Sequence, residues 1–220
     1  MFLLSRIQFH RYVKEYSKQH SQFFFIQIGA NDGVTADPIH KHILKYGWQG
    51  ILVEPVKFYF EKLVKNYEGQ SDLRFENSAI SHKDSECDFF MLPARHSRFP
   101  HIFAGAGLGS LSKSNLLKRW WRIPFIKKTI VKERVRCMTL GGLLQKYNIK
   151  NIDLLIIDAE GYDDQIVKQL NFNNWKPRIL VFEHNNINRS RRIECESLLK
   201  ENGYHVNRDY QNVYAYLNPQ

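Results

Sequence analysis

The sequence predicts an α/β domain of Rossmann-like type, built around a mostly parallel sheet. Three observations predict it. Residues 23–28 (FFFIQI) form a nearly continuous apolar run that stops abruptly at Gly29, Ala30, Asn31, Asp32 and Gly33. Two further runs of the same kind, residues 152–158 (IDLLIID) and 178–183 (RILVFE), alternate with helical periodicity. All three end in a polar cluster, as strands buried on both faces do when their carboxyl ends emerge from the core.

The elements follow in order. After the first strand, Asp37 and Pro38 open a helix carrying Ile39, Ile43, Leu44 and Tyr46, with Gly47 as its stop. A second strand covers residues 50–55; Phe58, Phe60, Leu63, Val64 and Tyr67 mark an amphipathic helix closing at Gly69; a third strand covers residues 73–77. Residues 87–92 and 129–137 read as extended. Residues 139–147 read as a helix, 152–158 as a strand, 163–170 as a helix, 178–183 as a strand and 189–202 as a helix. Residues 204–209 and 213–217, split by a polar turn, read as a C-terminal antiparallel hairpin.

A length of 220 residues suits one domain with a full core, here residues 1–220 with a basic, aromatic insertion at about 93–128. Hydrophobic residues at 43% and charged residues at 25% exclude a disordered or collagen-like chain. Cys87, Cys137 and Cys195 are widely spaced, which argues against a zinc site and a disulfide framework and favours a reduced, cytoplasmic setting. Arg6, His10, Arg11 and Lys14 break the apolar start too early for a signal peptide, and no run approaches a membrane span. The net charge is +10, and residues 113–136 hold nine basic residues against Glu133 alone. Such a segment reads as a solvated basic face whose tryptophans pack on the domain, or as a site for an anionic partner: nucleic acid, a phosphorylated substrate or the surface of an anionic membrane. Trp120, Trp121, Phe125 and Ile126 within it suit stacking on sugar or base rings.

The chemistry gathers at the strand ends. A glycine-bearing turn between strand and helix cradles a nucleotide-like ligand with backbone N–H groups. Glu54 follows Gly29 by 25 residues at the end of the second strand, where a carboxylate accepts hydrogen bonds from a ribose diol. The turn lacks G-x-G-x-x-G, so a dinucleotide is the weaker reading. Asn77 or Ser78 is placed to touch an adenine. Asp158, Glu160 and Asp163 close the fourth strand; Glu183, His184, Asn185 and Asn186 close the fifth. His184 is a candidate general base or metal ligand beside Asp158. His40 and His42 cannot share a helix face and read as solvated.

Together IQIGANDG (26–33), LVEP (52–55), ENSAIS (76–81), TLGGLL (139–144), IDLLIIDAEGYD (152–163) and ILVFEH (179–184) resemble the FkbM family of S-adenosylmethionine-dependent methyltransferases. The resemblance implies a class I methyltransferase fold with a seven-stranded sheet and the cofactor over the first strands, on Gly29, Ala30, Asn31, Asp32, Gly33, Glu54, Ser78 and Ala79. It implies O-methylation of a hydroxyl on a sugar, glycan or related natural product, with Asp158, Glu160 and His184 as catalytic candidates. The segment GLGSLSKSNLLK (107–118) is similar to the family's serine-containing loop, and acceptor specificity is expected in this region. A poor hydroxyl nucleophile needs a base or a cation, so Mg²⁺ on Asp158, Glu183 and Asn185 is a further expectation. The acceptor is a small molecule or glycan, anionic or nucleotide-linked in one reading of the basic insertion. An RNA methyltransferase and a non-catalytic Rossmann-like binding protein are the alternatives.

Overall fold

The computed structural model describes residues 6–20, 22–92, 109–120 and 126–217. Along the chain run α1 (Arg6–Gln19), β1 (Phe24–Ile28), α2 (His40–Tyr46), β2 (Gln49–Val53), α3 (Lys57–Asn66), β3 (Leu73–Glu76), β4 (Ala79–Ile80) and β5 (Ser85–Met91). They are followed by β6 (Gly109–Ser110), α4 (Lys113–Trp120), α5 (Ile126–Thr129), β7 (Val131–Met138), α6 (Leu140–Lys146) and β8 (Leu154–Ile157). The last are α7 (Asp163–Val167), β9 (Ile179–Glu183), α8 (Arg189–Glu201), β10 (His205–Arg208) and β11 (Asn212–Tyr216).

Seven strands form the main sheet in the order β10-β11-β9-β8-β1-β2-β3. The five strands from β9 to β3 are parallel, and β11 runs antiparallel between β9 and β10, giving the expected C-terminal hairpin. Register decides where chemistry can happen. Ile28 lies level with Val53 and with Ile157, and Ile157 with Phe182. The residues just beyond these, Gly29, Glu54, Asp158 and Glu183, therefore emerge along one carboxyl edge, where open α/β sheets take their ligands.

Alternate strand residues explain the apolar runs. Ile26, Ile28, Leu155, Ile157, Leu180 and Phe182 pack on one face with Leu140, Leu143, Cys195 and Leu199. Phe25, Leu52, Leu154, Ile156 and Val181 pack on the other with Ile39, Ile43, Leu63 and Tyr67. Both faces are dry, so neither could carry a polar alternation.

Four features differ from the sequence expectation. First, α1 has no counterpart among the elements that the sequence predicts. Its basic residues interrupt the apolar run, yet Phe9, Val13 and Tyr16 fall on one helical stripe and join the core, and the Tyr16 hydroxyl donates to Asp153 at 3.1 Å. Second, α2 starts at His40 rather than Asp37: the Asp37 carboxylate accepts the N–H groups of Ile39 and His40 at 2.7 Å and so stands outside as a cap. His42 stacks on Trp48 and His40 meets the Tyr67 hydroxyl at 3.1 Å, so neither is simply solvated.

Third, the two extended segments form a separate sheet, in the order β4-β7-β5-β6. There Lys132 pairs with Asp88 at 3.1 Å and Arg134 with Asp88 at 3.2 Å and Glu86 at 3.5 Å, so part of the basic run is neutralised within the sheet. Fourth, Cys87 and Cys137 are joined as a disulfide. Pairing of β5 with β7 puts Cys87 diagonal to Cys137, with Cα atoms 6.3 Å apart, a proximity that linear spacing does not reveal. The cysteine argument for a reduced compartment falls with it. Residues 93–108, Trp121 and Phe125 lie outside the described residues, as do the side chains of Trp120 and Ile126. No helix among the described residues is long and apolar enough to cross a membrane.

Gly29 marks where the sheet is tightest. Its φ is +81°, and a Cβ there would lie 1.9 Å from the carbonyl oxygen of Asp158. Gly69 also has positive φ, at +86°, but nothing lies within 4 Å of its missing Cβ. Gly69→Ala is expected to cost about 1 kcal/mol, the backbone penalty alone, whereas Gly29→Ala costs more than about 3 kcal/mol because two strand ends must part. Urea unfolding of both variants measures the difference.

Candidate functional site

Along the carboxyl edge of the main sheet lies a cavity of about 500 Å³. Its described lining includes five carboxylates, from Asp37, Glu54, Asp158, Glu160 and Glu183, and a single basic side chain, His10. Of the residues expected to hold a cofactor, Gly29, Ala30, Asn31, Glu54, Ser78 and Ala79 line it. Asp32 and Gly33 do not. The Asp32 carboxylate turns back to accept the N–H groups of Val34 and Thr35 and the Thr35 hydroxyl, fixing the turn from outside. Gly33 is small because α3 needs the space: a Cβ there would lie 2.5 Å from both Leu63 and Tyr67.

Glu54 is buried, and both its oxygens are engaged: Oε2 accepts the Asn31 N–H at 2.9 Å and Oε1 the Val56 N–H at 2.9 Å. A carboxylate has about four lone-pair sites, so two further donors can still be accepted. Burial pushes its pKa up to about 7; the two backbone N–H groups pull it down, and the charges of Asp158 and Asp32 push it up again. Around it several buried polar atoms have no hydrogen-bond partner among the described residues: Ser78 Oγ, Asn31 Oδ1 and Gln27 Oε1. Buried polar atoms are rarely left so, and three beside one cavity mark a place built for a polar ligand. Asn77, by contrast, is structural, its amide donating to the carbonyls of Glu54 at 2.8 Å and Pro55 at 3.1 Å.

At the other end stand Asp158, Glu160 and Glu183, with one carboxylate oxygen of each lying within 4.8 Å of the other two. Asn186 holds two of them together, its amide donating to Glu160 Oε2 at 2.8 Å and Glu183 Oε2 at 3.1 Å. Asp163, wholly buried, accepts the N–H groups of Ala159 at 3.1 Å and Gly161 at 3.0 Å and so shapes the loop that carries Glu160. Burial, and next the charge of Asp158, raises its pKa well above the usual carboxylate range. Over the same loop lies the segment of Ser110 and Asn115: Ser110 Oγ donates to the Glu160 carbonyl at 2.9 Å, and the Asn115 amide to Gly161 at 3.5 Å.

Two expected site residues lie elsewhere. His184 does not line the cavity; its Nε2 donates to the Asp209 carbonyl at 3.0 Å, in the turn between β10 and β11. Asn185 is exposed and also off the lining, and it is Asn186, one residue on, whose amide reaches Glu160 and Glu183. Sequence reasoning missed Gln27, Asp37 and Tyr210, all of which line the cavity. Gln27 left a legible sign, a polar residue inside an apolar strand. Its amide donates to Asp37 at 2.9 Å and makes part of the floor.

The raised pKa of Glu54 has a measurable sign. A carboxyl whose folded pKa lies above its unfolded value loses stability for the protein as pH rises through the folded value. With 4.5 unfolded and about 7 folded, the loss amounts to about 3 kcal/mol between pH 4 and pH 8. Glu54→Gln lacks this titration. Denaturant unfolding at both pH values is expected to show the variant gaining on the native protein by about that amount at the higher pH.

The family profile of the methyltransferase FkbM domain matches residues 27–206. Among solved structures, the methyltransferase FkbM from Methylobacillus flagellatus KT superposes with a TM-score of 0.54 and 10% identity, over 89% of this chain and 44% of that one. The N-terminal domain of human METTL16, in complex with SAH, gives 0.48 and 10% over 100% of this chain and 73% of that one. The ribosomal protein L11 methylase from Lactobacillus delbrueckii subsp. bulgaricus gives 0.42 and 12% over 94% and 76%. This chain spans less than half the length of the Methylobacillus protein. No curated protein matches the sequence. At such identities the likeness to solved structures concerns the fold alone. The profile match, covering most of the chain and every strand end that lines the cavity except β11, establishes that the chain belongs to the FkbM methyltransferase domain family.

Proposed function

We propose that the chain binds S-adenosylmethionine in this cavity and transfers its methyl group to a hydroxyl of a neutral sugar or related small molecule. One observation carries the reading: a row of five carboxylates with no lysine or arginine among the described lining residues. Such a surface attracts a sulfonium cation and repels phosphate, which disfavours RNA and nucleotide-linked acceptors in the cavity itself.

The residues present fit the cofactor. Glu54 would accept the ribose hydroxyls through its remaining lone pairs, and Ser78 and Ala79 would flank the base, with Ser78 Oγ still in need of a partner. Gly29, Ala30 and Asn31 would back the rest. When bound, the cofactor supplies an electrophilic methyl group, and the protein's work is alignment and removal of a proton. Asp158, the most exposed carboxylate of its cluster, takes the proton from the acceptor hydroxyl. Glu160 and Glu183, clamped by Asn186, stand beside it and favour the cationic partner. Phe89 and Leu111, from the second sheet and the loop after it, line the cavity and pack in one apolar cluster with Val56 and Ala79.

A metal-assisted route is the second reading, because the oxygens of Asp158, Glu160 and Glu183 are close enough to share one hard cation such as Mg²⁺. Asn185 has no part in it.

Calorimetry with S-adenosylhomocysteine is expected to show micromolar binding, weakened at least tenfold in Glu54→Ala and unchanged in Asp158→Asn. Absence of binding to the native protein overturns the reading. With a methyl-accepting glycoside, Asp158→Asn is expected to lose about 10²-fold or more in kcat, and His184→Gln far less. Exhaustive chelation leaves the rate unchanged if Asp158 acts alone; a loss restored by Mg²⁺ selects the metal-assisted route.

A further inference from the structure

The cavity continues past the carboxylates, between α1 and the turn joining β10 to β11. Tyr210, at the tip of that turn, is 75% exposed and still contributes to the lining. Phe9 and His10 of α1 form the facing wall, with Phe9 packed on Tyr214 at a ring separation of 5.4 Å. The turn is held from several sides. Asp209 Oδ1 accepts the N–H groups of Gln211 at 2.8 Å and Asn212 at 2.7 Å, and Oδ2 accepts the Tyr214 hydroxyl at 2.8 Å. His184 clasps it twice, through Nε2 to the Asp209 carbonyl at 3.0 Å and through its own N–H to the Gln211 carbonyl at 2.8 Å. Asn212 lies directly opposite Glu183 in the sheet, so Tyr210 stands two residues from a position level with the carboxylate cluster.

We propose that Tyr210 is the platform on which a sugar ring of the acceptor stacks, and that His184 and Asp209 are positioning residues that hold the platform in place. The proposal rests on the methyl-transfer reading and assigns its acceptor subsite. An exposed aromatic ring carried on a turn braced by these hydrogen bonds offers an apolar face, which is what the C–H face of a pyranose requires. The neighbouring groups, Gln211 and Asn212 with the carboxylates beyond, supply hydrogen-bonding partners for hydroxyls, and the described lining holds no lysine or arginine for a phosphate. His184 thereby acquires a role that needs no proton transfer.

The test uses the full chain saturated with S-adenosylhomocysteine, whose binding is measured first by calorimetry. Methyl α-glucopyranoside, methyl α-rhamnopyranoside and adenosine monophosphate are then the probes in saturation-transfer NMR. The expected result is that a glycoside binds, that Tyr210→Phe preserves its affinity, and that Tyr210→Ala weakens it about tenfold while binding of the homocysteine compound is unchanged. His184→Ala weakens the glycoside as well, and His184→Gln, which can still donate to the Asp209 carbonyl, restores it. Glycoside affinity unaltered in Tyr210→Ala, no binding of either glycoside, or binding of the nucleotide alone overturns the platform while leaving methyl transfer standing. A native protein that binds no S-adenosylhomocysteine removes the methyl-transfer reading; glycoside binding that still depends on Tyr210 would then keep the platform.

Discussion

The contact between the ends of β1 and β8 governs the site. The chain leaves β1 for β2 and β3 on one side, then crosses to β8 and β9 on the other, so these two neighbours open the crevice where the winding reverses. Their parallel register brings the backbone of residue 29 against the carbonyl of Asp158, with no room for even a methyl group. That approach sets the distance between the two halves of the cavity. Glu54 and Ser78 lie on the β1–β2–β3 side; Asp158, Glu160 and Glu183 lie on the β8–β9 side.

Holding carboxylates in such a place is costly, and the local structure shows how the cost is met. Glu54 and Asp163 are buried and each accepts two backbone N–H groups, which offsets part of the desolvation that raises their pKa values. Asn31 and Glu160, one on each side of the crevice, both have positive φ, at 51° and 49°. Non-glycine residues adopt this conformation when surrounding contacts fix it, here the Asn31 N–H on Glu54 and the Glu160 carbonyl on Ser110.

Periodicity made the main sheet legible, because strands dry on both faces announce themselves as unbroken apolar runs and their polar ends identify the functional edge. Glu54, Ser78, Asp158 and Glu160 could be placed on that basis. What the sequence hides is anything set by side-chain direction or distant pairing. His184 and Asn186 are two residues apart in one polar cluster, yet only Asn186 reaches the carboxylates of Glu160 and Glu183, while His184 bonds to the turn between β10 and β11. Cys87 and Cys137 meet through strand pairing across 50 residues. Helix α1 was obscured because charge interrupts its apolar residues along the sequence but not around its axis.

The separation of charge described above gives the molecule an internal polarity. The chain as a whole carries +10, while its cavity is lined by carboxylates. A cation approaching from bulk solvent therefore climbs a repulsive potential before it meets an attractive one. The two respond differently to ionic strength, since salt screens exposed charges beyond roughly 8 Å under physiological conditions but acts weakly on groups shielded by protein. Added salt thus lowers the outer barrier more than it weakens the inner well, so the surface acts as a kinetic filter whose height the surrounding electrolyte sets.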